Sequence, residues 1–512
     1  MRRKATYPVV DLFAGPGGLG EGFATMLCPA ANNRYAFRTV LSIEKEDYAH
    51  ATLTLRHFYR EFSPEAVPEE YYDYLAGHIS KDTLFETYPS EAAAARKSTW
   101  KCTLGEESHE KVKRRIAGRI SGHDKWVLLG GPPCQAYSLV GRSRMQKMPE
   151  FASDPRHFLY REYLRTIEDH RPPVFVMENV KGLLSAKLGN ENVINLIIRD
   201  LCEPGKAVSR NITCLSYRLY SLSESGLKGL DSDPCSFLVK AEDYGIPQAR
   251  HRIFIVGIRG DIDIEPDILS RTSPVSVREV IGGMPVIRSG LSRSADSYQA
   301  WKDVIASIMR QSWYIHSKTN GLATLTEEAE KTLQMLNNYN LLEKSSTKYS
   351  ARTSMRDWLC DGRLETLSSH EARSHMNSDV QRYFFAALFS AVNGASPKLA
   401  DFPARLLPKH KNVQLGRKGD MFSDRFRVQL PDGPATTITS HISKDGHYFI
   451  HYDPLQCRSL TVREAARLQT FPDNYKFEGS RTSQYQQVGN AVPPLLANKI
   501  AEVIYEILKS IR

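Results

Sequence analysis

Trp126-Val127-Leu128-Leu129-Gly130-Gly131-Pro132-Pro133-Cys134-Gln135-Ala136-Tyr137-Ser138 decides how this 512-residue chain is read. The run Trp126 to Leu129 has the unbroken hydrophobicity of a parallel strand buried on both faces. Gly130 and Gly131 let the backbone turn sharply, and Pro132 and Pro133 fix φ where it leaves the sheet. Cys134 is thereby set on a stiff loop at the carboxyl end of a strand. In open α/β sheets that is where ligands and chemistry collect. A lone cysteine beside a turn is ordinarily a small buried hydrophobe; the neighbours of this one argue for a reactive thiol.

Upstream, Tyr7 to Leu12 reads as a first strand running into Phe13-Ala14-Gly15-Pro16-Gly17-Gly18-Leu19-Gly20. Strand, glycine loop and helix start make a nucleotide-type cradle, because the backbone can approach a ligand closely there. The spacing is neither the dinucleotide GxGxxG nor a P-loop, which argues against NAD and ATP. A second strand, Thr39 to Ile43, ends in Glu44, where an acid commonly takes ribose hydroxyls. Downstream of Cys134, the segment Gly141 to Lys147 is basic and carries Arg142 and Arg144, as a loop closing on a phosphate backbone would. The strand Pro173 to Met177 ends in Glu178-Asn179-Val180. An acid at an apolar strand end is costly to bury unpaired, so a ligand or a raised pKa is expected at Glu178. In Gln248-Ala249-Arg250-His251-Arg252 the two arginines stand at i, i+2 of an extended segment and point the same way, two guanidinium forks suited to oxygen acceptors.

A net charge of +10 suits a polyanionic partner, and 41% hydrophobic with 25% charged residues is ordinary for a globular chain of two or three domains. No apolar run is long enough to span a bilayer, and the basic start is followed by a strand, so no signal peptide, no membrane and an intracellular setting are expected. The eight cysteines form no CxxC pair, so neither a disulfide framework nor a metal site is expected. Residues 63–125 read as mostly helical. Beyond about Gly260 the character shifts to Pro-, Ser- and Arg-rich segments alternating with helices. Thr324 to Glu327 and Ser368 to Glu371 have capping-box spacing, and a helix from Ser378 to Val392 stops at Asn393-Gly394. Gly433 to Ser440 and His447 to Ile450 read as a strand pair. The helix Leu460 to Gln469 and the string Gln487-Val488-Gly489-Asn490 complete the chain.

Taken in order, the Phe13–Gly18 loop, Pro132-Pro133-Cys134-Gln135, Glu178-Asn179-Val180, Gln248-x-Arg250-x-Arg252, Arg463-Glu464-x-x-Arg467-Leu468-Gln469 and Gln487-Val488-Gly489-Asn490 closely resemble the cytosine-C5 DNA methyltransferase family. The resemblance implies an α/β fold of the SAM-dependent methyltransferase (Rossmann-like) type, with a mixed seven-stranded sheet, helices on both faces and an inserted target-recognition domain. It implies a catalytic, cofactor-binding domain of residues 1–260 completed by 480–512, and a recognition domain of 261–479 that includes the Arg463 helix. The reaction implied is methyl transfer from S-adenosyl-L-methionine to C5 of a flipped-out cytosine in duplex DNA, leaving S-adenosylhomocysteine. Cys134 would be the nucleophile toward C6, Glu178 would hold and protonate N3, Arg252 would hold O2, and Arg250 would order the site. Phe13 would stack on the adenine and Glu44 would take the ribose hydroxyls. Ala14, Gly15, Gly17, Gly18, Leu19, Pro132 and Asn490 would complete the cofactor contacts. Gln135, Ser138, Arg142, Arg144, Thr437 and Thr439 would meet DNA. Base flipping costs a few kcal/mol.

This sequence departs from the family's compact members in three places: the stretch between Glu44 and Cys134 is longer, the recognition region is long and carries extra helices, and one expected acid is missing. The aspartate usual after the third strand, which takes the adenine amino group, has no equivalent between Glu44 and Cys134. The resemblance implies a prokaryotic or phage enzyme, a cytoplasmic, nucleoid-associated monomer in a restriction-modification or defence setting. Two rivals share many of these residues: a tRNA cytosine-5 methyltransferase, whose Cys-Phe-Thr string is absent, and an inactive DNA-binding paralogue, which would have lost Cys134 or Glu178.

Overall fold

The fold was analysed in a computed structural model that describes residues 6–28, 34–133, 159–188, 190–208, 215–317, 321–344, 353–409, 413, 416, 423–444 and 446–511. The chain divides into two compact units. The first comprises Met1–Tyr74, Ile79–Ser273 and Ala491–Arg512; the second comprises Leu75–His78 and Pro274–Asn490. Among the described residues no helix is long and apolar enough to cross a membrane.

The first unit is built on a sheet that has nine strands among the described residues. These are β1 (Tyr7–Leu12), β2 (Phe37–Glu44), β3 (Thr99–Lys101), β4 (Val127–Gly130), β5 (Val174–Val180), β6 (Tyr217–Tyr220), β7 (Leu227–Lys228), β8 (Leu238–Lys240) and β9 (His251–Arg259). Their order is β3-β2-β1-β4-β5-β9-β6-β7, with β8 also pairing β9. β3, β2, β1, β4 and β5 are mutually parallel. β9 runs antiparallel to both β5 and β6. The mixed sheet expected from the sequence is therefore present, with nine strands among the described residues where seven were expected. β3 lies within the stretch that reads as mostly helical: its three residues follow an Ala-rich helix, Pro89–Ser98, too briefly for any alternation to register.

Alternation along the central strands explains the layering. Val9, Val127, Leu129, Val174, Val176, Phe254 and Val256 bury one face against Leu19 and Phe23 of helix α1 (Gly18–Thr25) and against the C-terminal helix Pro494–Ser510. Val10, Leu12, Leu128, Phe175, Met177, Ile253 and Ile255 bury the other face. There they meet Tyr163, Leu164 and Ile167 of α2 (Leu159–His170) and Ile194, Ile197 and Ile198 of α3 (Val193–Cys202). α1 and the C-terminal helix touch backbone to side chain: a Cβ at Gly22 would fall 2.3 Å from Ala497 Cβ.

The second unit packs helices Tyr298–Ala306, Ala323–Leu336 and Asn377–Asn393 around Trp301, Phe384, Phe385 and Leu388. Asn377–Asn393 ends at Gly394 in the left-handed conformation, as its Asn-Gly stop signal predicts. Three other readings are corrected. Ala323–Leu336 starts one residue before Thr324 with no side-chain cap, so Thr324 is not an N-cap. Residues 368–371 begin no helix; Glu371 instead bridges Lys344. Capping boxes do occur at Ser276–Glu279 and Thr461–Glu464. The expected strand pair near 433–450 is reduced to Ala435–Thr436 followed by 3-10 turns Ser440–Ser443 and Gly446–Tyr448, while Ile450 bridges Val428 and Ser459. Threonine- and aromatic-rich composition suits a strand, but glycine and local turn bonds prevail here.

Candidate active site

Two strand ends of the first unit carry the reactive side chains. Glu178 opposes Phe254 in the β5–β9 ladder, and Arg252 opposes Val180. Glu178 and Arg252 are thus diagonal neighbours on one face, close enough for long side chains to meet. They form an ion pair, Arg252 Nε to Glu178 Oε1, at 3.1 Å, with both side chains about six-sevenths buried (14% and 15% exposed). Burial raises the Glu178 carboxyl above its ordinary range, and the charges of Arg252 and then Arg250 pull it partly back. Arg252 also donates from Nη1 to the His251 carbonyl at 2.8 Å. Arg250 is almost wholly buried, and burial foremost lowers its guanidinium pKa.

The carboxyl end of β4 abuts this pair. A Cβ on Gly131 would stand 3.0 Å from Glu178 Oε2, so only glycine lets the chain pass there without moving the carboxyl. Asn179 Nδ2 donates to the Pro132 carbonyl at 3.2 Å, and its Oδ1 accepts from Val180 N at 2.8 Å. Tyr163 fills the space beside Gly130, where a Cβ would meet its ring at 2.5 Å, and its hydroxyl donates to the Val176 carbonyl at 3.1 Å. The start of the Pro132–Pro133 loop is therefore clamped from two neighbouring elements. Cys134, Gln135, Ser138, Arg142 and Arg144 lie outside the described residues.

The glycine loop joins β1 to α1. Phe13 adopts φ 57°, a conformation that non-glycine residues reach only at a cost of about 1–3 kcal/mol and hold where the surroundings over-determine it. It is half-buried, with part of its ring open. Ala14 N–H donates to the Ile43 carbonyl at 3.1 Å. Gly17 caps α1 at φ 95°, and a Cβ on Gly18 would fall 2.2 Å from the Val492 carbonyl oxygen. Leu19 turns its side chain into the core, so it can meet a ligand only through backbone. Glu44, at the end of β2, accepts from Gly15 N at 2.8 Å through Oε2 and from Lys45 N and Glu46 N, each at 2.8 Å, through Oε1. Burial raises its carboxyl and the three amides oppose that shift. A carboxylate has about four lone-pair sites, so acceptor capacity remains for hydroxyls.

This arrangement passes a test of fit for an adenosyl cofactor. The loop amides sit at a helix N-terminus, nothing stands within 4 Å of where a Cβ on Gly15 would lie, and a buried acid ends the adjoining strand. The third strand now has a location, and its end, Cys102-Thr103-Leu104, carries no acid; Cys102 N instead donates to the Glu44 carbonyl at 3.1 Å. Asp11, one strand position before the loop, is 1% exposed, and burial raises its carboxyl to about 7.

Three other predicted residues belong to the second unit. Asn490 is exposed at the end of helix Arg481–Asn490. Thr439 is exposed and Thr437 half-buried. A Cβ on Gly489 would fall 2.3 Å from Ser440 N, so the helix rests directly on the Thr439–Ser440 backbone. In the same unit Arg458 and Glu464 pair at 2.6 Å and Arg467 and Asp473 at 2.7 Å, all essentially without exposure. Sequence reasoning gave no role to Asn179, Tyr163, Glu242 or His251. Asn179 carried a signal by standing in the Glu178-Asn179-Val180 string, and His251 by standing between the two arginines.

The profile of the family described as C-5 cytosine-specific DNA methylase matches residues 87–506. The type II methyltransferase M.Bpa9945I of Bacillus paralicheniformis is 30% identical over 524 aligned residues, spanning 98% of this chain and 99% of that protein. M.DdeI of Desulfomicrobium norvegicum, also named a type II methyltransferase, is 27% identical over 97% of this chain and 88% of its own. Among solved structures, a prophage-encoded E. coli chain described as a DNA modification methyltransferase superposes with a TM-score of 0.51 at 19% identity, covering 98% of this chain and all of that one, which supports the fold. With the profile spanning most of its length and its strand-end acid, paired arginines and glycine loop in place, this chain belongs to the C-5 cytosine-specific DNA methylases.

Proposed function

We propose that this chain transfers a methyl group to C5 of a flipped-out cytosine within a specific sequence of duplex DNA, as the modification enzyme of a type II restriction-modification system. The observation that carries the reading is the Glu178–Arg252 pair: a buried carboxyl held above its ordinary range beside a fixed guanidinium, against the backbone that leads into Cys134.

S-adenosyl-L-methionine would supply an electrophilic methyl group. Phe13, Ala14, Gly15, Gly17, Gly18, the backbone of Leu19, Glu44 and Pro132 are the residues that would hold it, and Asn490 would support that cradle. The Cys134 thiolate adds to C6 of cytosine, forming a C–S bond. Glu178 donates a proton to N3 as charge builds there, and Arg252 holds O2. The electron pair released toward C5 would form the new C–C bond to the methyl group as its bond to sulfur breaks, leaving S-adenosylhomocysteine. Loss of the C5 proton to a base expels the Cys134 thiolate, and return of the N3 proton to the Glu178 carboxylate leaves neutral 5-methylcytosine. Arg250 keeps Arg252 and Glu178 in register.

The base is accessible only outside the duplex, at a cost of a few kcal/mol. Gln135, Ser138, Arg142 and Arg144 would meet the DNA beside the extruded base, and the second unit would read the sequence, with Thr437 and Thr439 against the backbone. The names of the type II relatives support the modification role. Methyl transfer from tritiated S-adenosyl-L-methionine to unmethylated genomic DNA, and to bulk tRNA as the rival substrate, tests the reading. Label is expected in DNA as 5-methylcytosine; label in tRNA alone would overturn it.

A further inference from the structure

The segment that presents Arg250 and Arg252 is held in place by a side-chain pair outside the motif residues. His251, between the two arginines, faces the opposite side of β9. Its Nε2 lies 2.7 Å from Glu242 Oε1. Glu242 belongs to a 3-10 turn, Ala241–Asp243, that directly follows β8. β8 pairs antiparallel with β9, with Lys240 opposite His251, and Ala241 N donates to the Arg250 carbonyl at 3.0 Å. The turn and the arginine segment are therefore tied twice, once through backbone and once through Glu242 and His251.

The chemistry of the pair fixes its direction. An ionised carboxylate only accepts, so His251 must donate through Nε2. Both side chains are largely buried, at 17% exposure for Glu242 and 29% for His251. Glu242 Oε2 is buried with no hydrogen-bond partner among the described residues, so His251 is the contact that holds this carboxylate. The consequence reaches the active site through one atom. The His251 carbonyl accepts from Arg252 Nη1 at 2.8 Å, while Arg252 Nε faces Glu178 at 3.1 Å. A guanidinium is rigid and planar, so fixing one donor edge on a carbonyl fixes where its other donors point. Glu242 holds His251, the His251 backbone holds Arg252, and Arg252 faces Glu178.

We propose that Glu242 is a positioning residue for methyl transfer: through His251 it holds the carbonyl on which Arg252 rests and so aims that guanidinium at Glu178 and the pyrimidine. The inference rests on the function proposed for Glu178 and Arg252. It assigns Glu242 and His251 no contact with substrate. Misplacing a positioning group by about 1 Å is enough to cost on the order of 10–100-fold in rate.

The test compares the full-length parent, Glu242→Ala, Glu242→Gln, His251→Ala and Glu178→Gln. The readouts are tritium transfer to unmethylated genomic DNA, the pH profile of kcat, KM for S-adenosyl-L-methionine and the thermal midpoint. Glu242→Ala and His251→Ala are each expected to lower kcat about tenfold or more with KM for the cofactor unchanged. Both should also move the basic limb of the profile to higher pH, because Glu178 loses part of the charge that opposes its protonation. Glu242→Gln keeps an acceptor for His251 and should recover most of the rate and the parental profile. A merely structural pair would lower the thermal midpoint and leave kcat and the profile alone; that result overturns the proposal. If Glu242→Ala does not fold, His251→Ala carries the same comparison, and a parental profile there overturns it equally. Should Glu178→Gln retain the parental rate, the underlying reading of the site falls. Should Glu178→Gln be inactive while Glu242→Ala and His251→Ala match the parent, only the positioning role falls.

Discussion

Arg252 reaches diagonally across the β5–β9 ladder to Glu178, Nε to Oε1 at 3.1 Å. The contact sets two opposing influences on one carboxyl. Burial favours the protonated acid, and the guanidinium favours the carboxylate. A carboxyl raised by burial and partly drawn back by a guanidinium is suited to giving a proton to a ring nitrogen.

Arg252→Ala removes the larger of the two opposing charges. The Glu178 carboxyl then rises further, and the basic limb of the kcat profile moves to higher pH. Loss of the contact proposed to cytosine O2 is expected to lower kcat by on the order of 10²-fold. Initial rates across the neutral range, on saturating DNA, measure both effects. A basic limb that stays in place or moves to lower pH would contradict the electrostatic account.

Glu178→Gln keeps the shape of the side chain and removes the proton donor. Methyl transfer falls by about 10²–10⁴-fold, while cofactor binding, measured by calorimetry on the free enzyme, is unchanged because the cradle of Phe13 to Gly18 and Glu44 is untouched. Weakened cofactor binding would show that Glu178 shapes the cradle.

Asp11 makes the fold pH-sensitive from inside. Burial raises its folded-state carboxyl to about 7, against about 3.9 in an unfolded chain. With a raised acid the folded state keeps the proton after the unfolded state has lost it. The contribution of Asp11 is thus fully present below about pH 4 and is lost as pH rises through about 7, a change on the order of 4 kcal/mol. Asp11→Asn should be more stable than the parent above pH 7 and similar to it near pH 4. Urea midpoints at the two ends of that window check the sign, and a larger gain at acid pH would refute it.

Much of this was written plainly in the chain, and the reasons differ by residue. β4 and β5 were legible because central parallel strands are continuous apolar runs, and Glu178 stood out because an acid ends one of them. β3 was hidden because three residues set by a neighbour's hydrogen bonds leave no pattern. The Thr324 box failed because a favourable Ser/Thr-x-x-Glu spacing is a local preference that packing of the preceding turn can override. Tyr163 and Glu242 act on residues that are distant in sequence or across a turn, so only three-dimensional placement reveals them, and the same placement gives Asn179 of the Glu178-Asn179-Val180 string its partner.

Close packing of α1 on the C-terminal helix gives a stability prediction. Gly22→Ala would bring a methyl 2.3 Å from Ala497 Cβ and 2.4 Å from the Pro494 carbonyl. Overpacking of this kind costs about 1–3 kcal/mol. The thermal midpoint should fall, and Gly22→Ala combined with Ala497→Gly should recover part of the loss. No recovery in the double variant would mean that the strain lies elsewhere.

Bisulfite sequencing of genomic DNA from cells expressing the parent chain, beside Cys134→Ser, tests the central claim most directly. The account predicts 5-methylcytosine confined to one short sequence motif in the parent and absent from the Cys134→Ser control. No new methylation with the parent chain, or the same motif methylated by both, would contradict it.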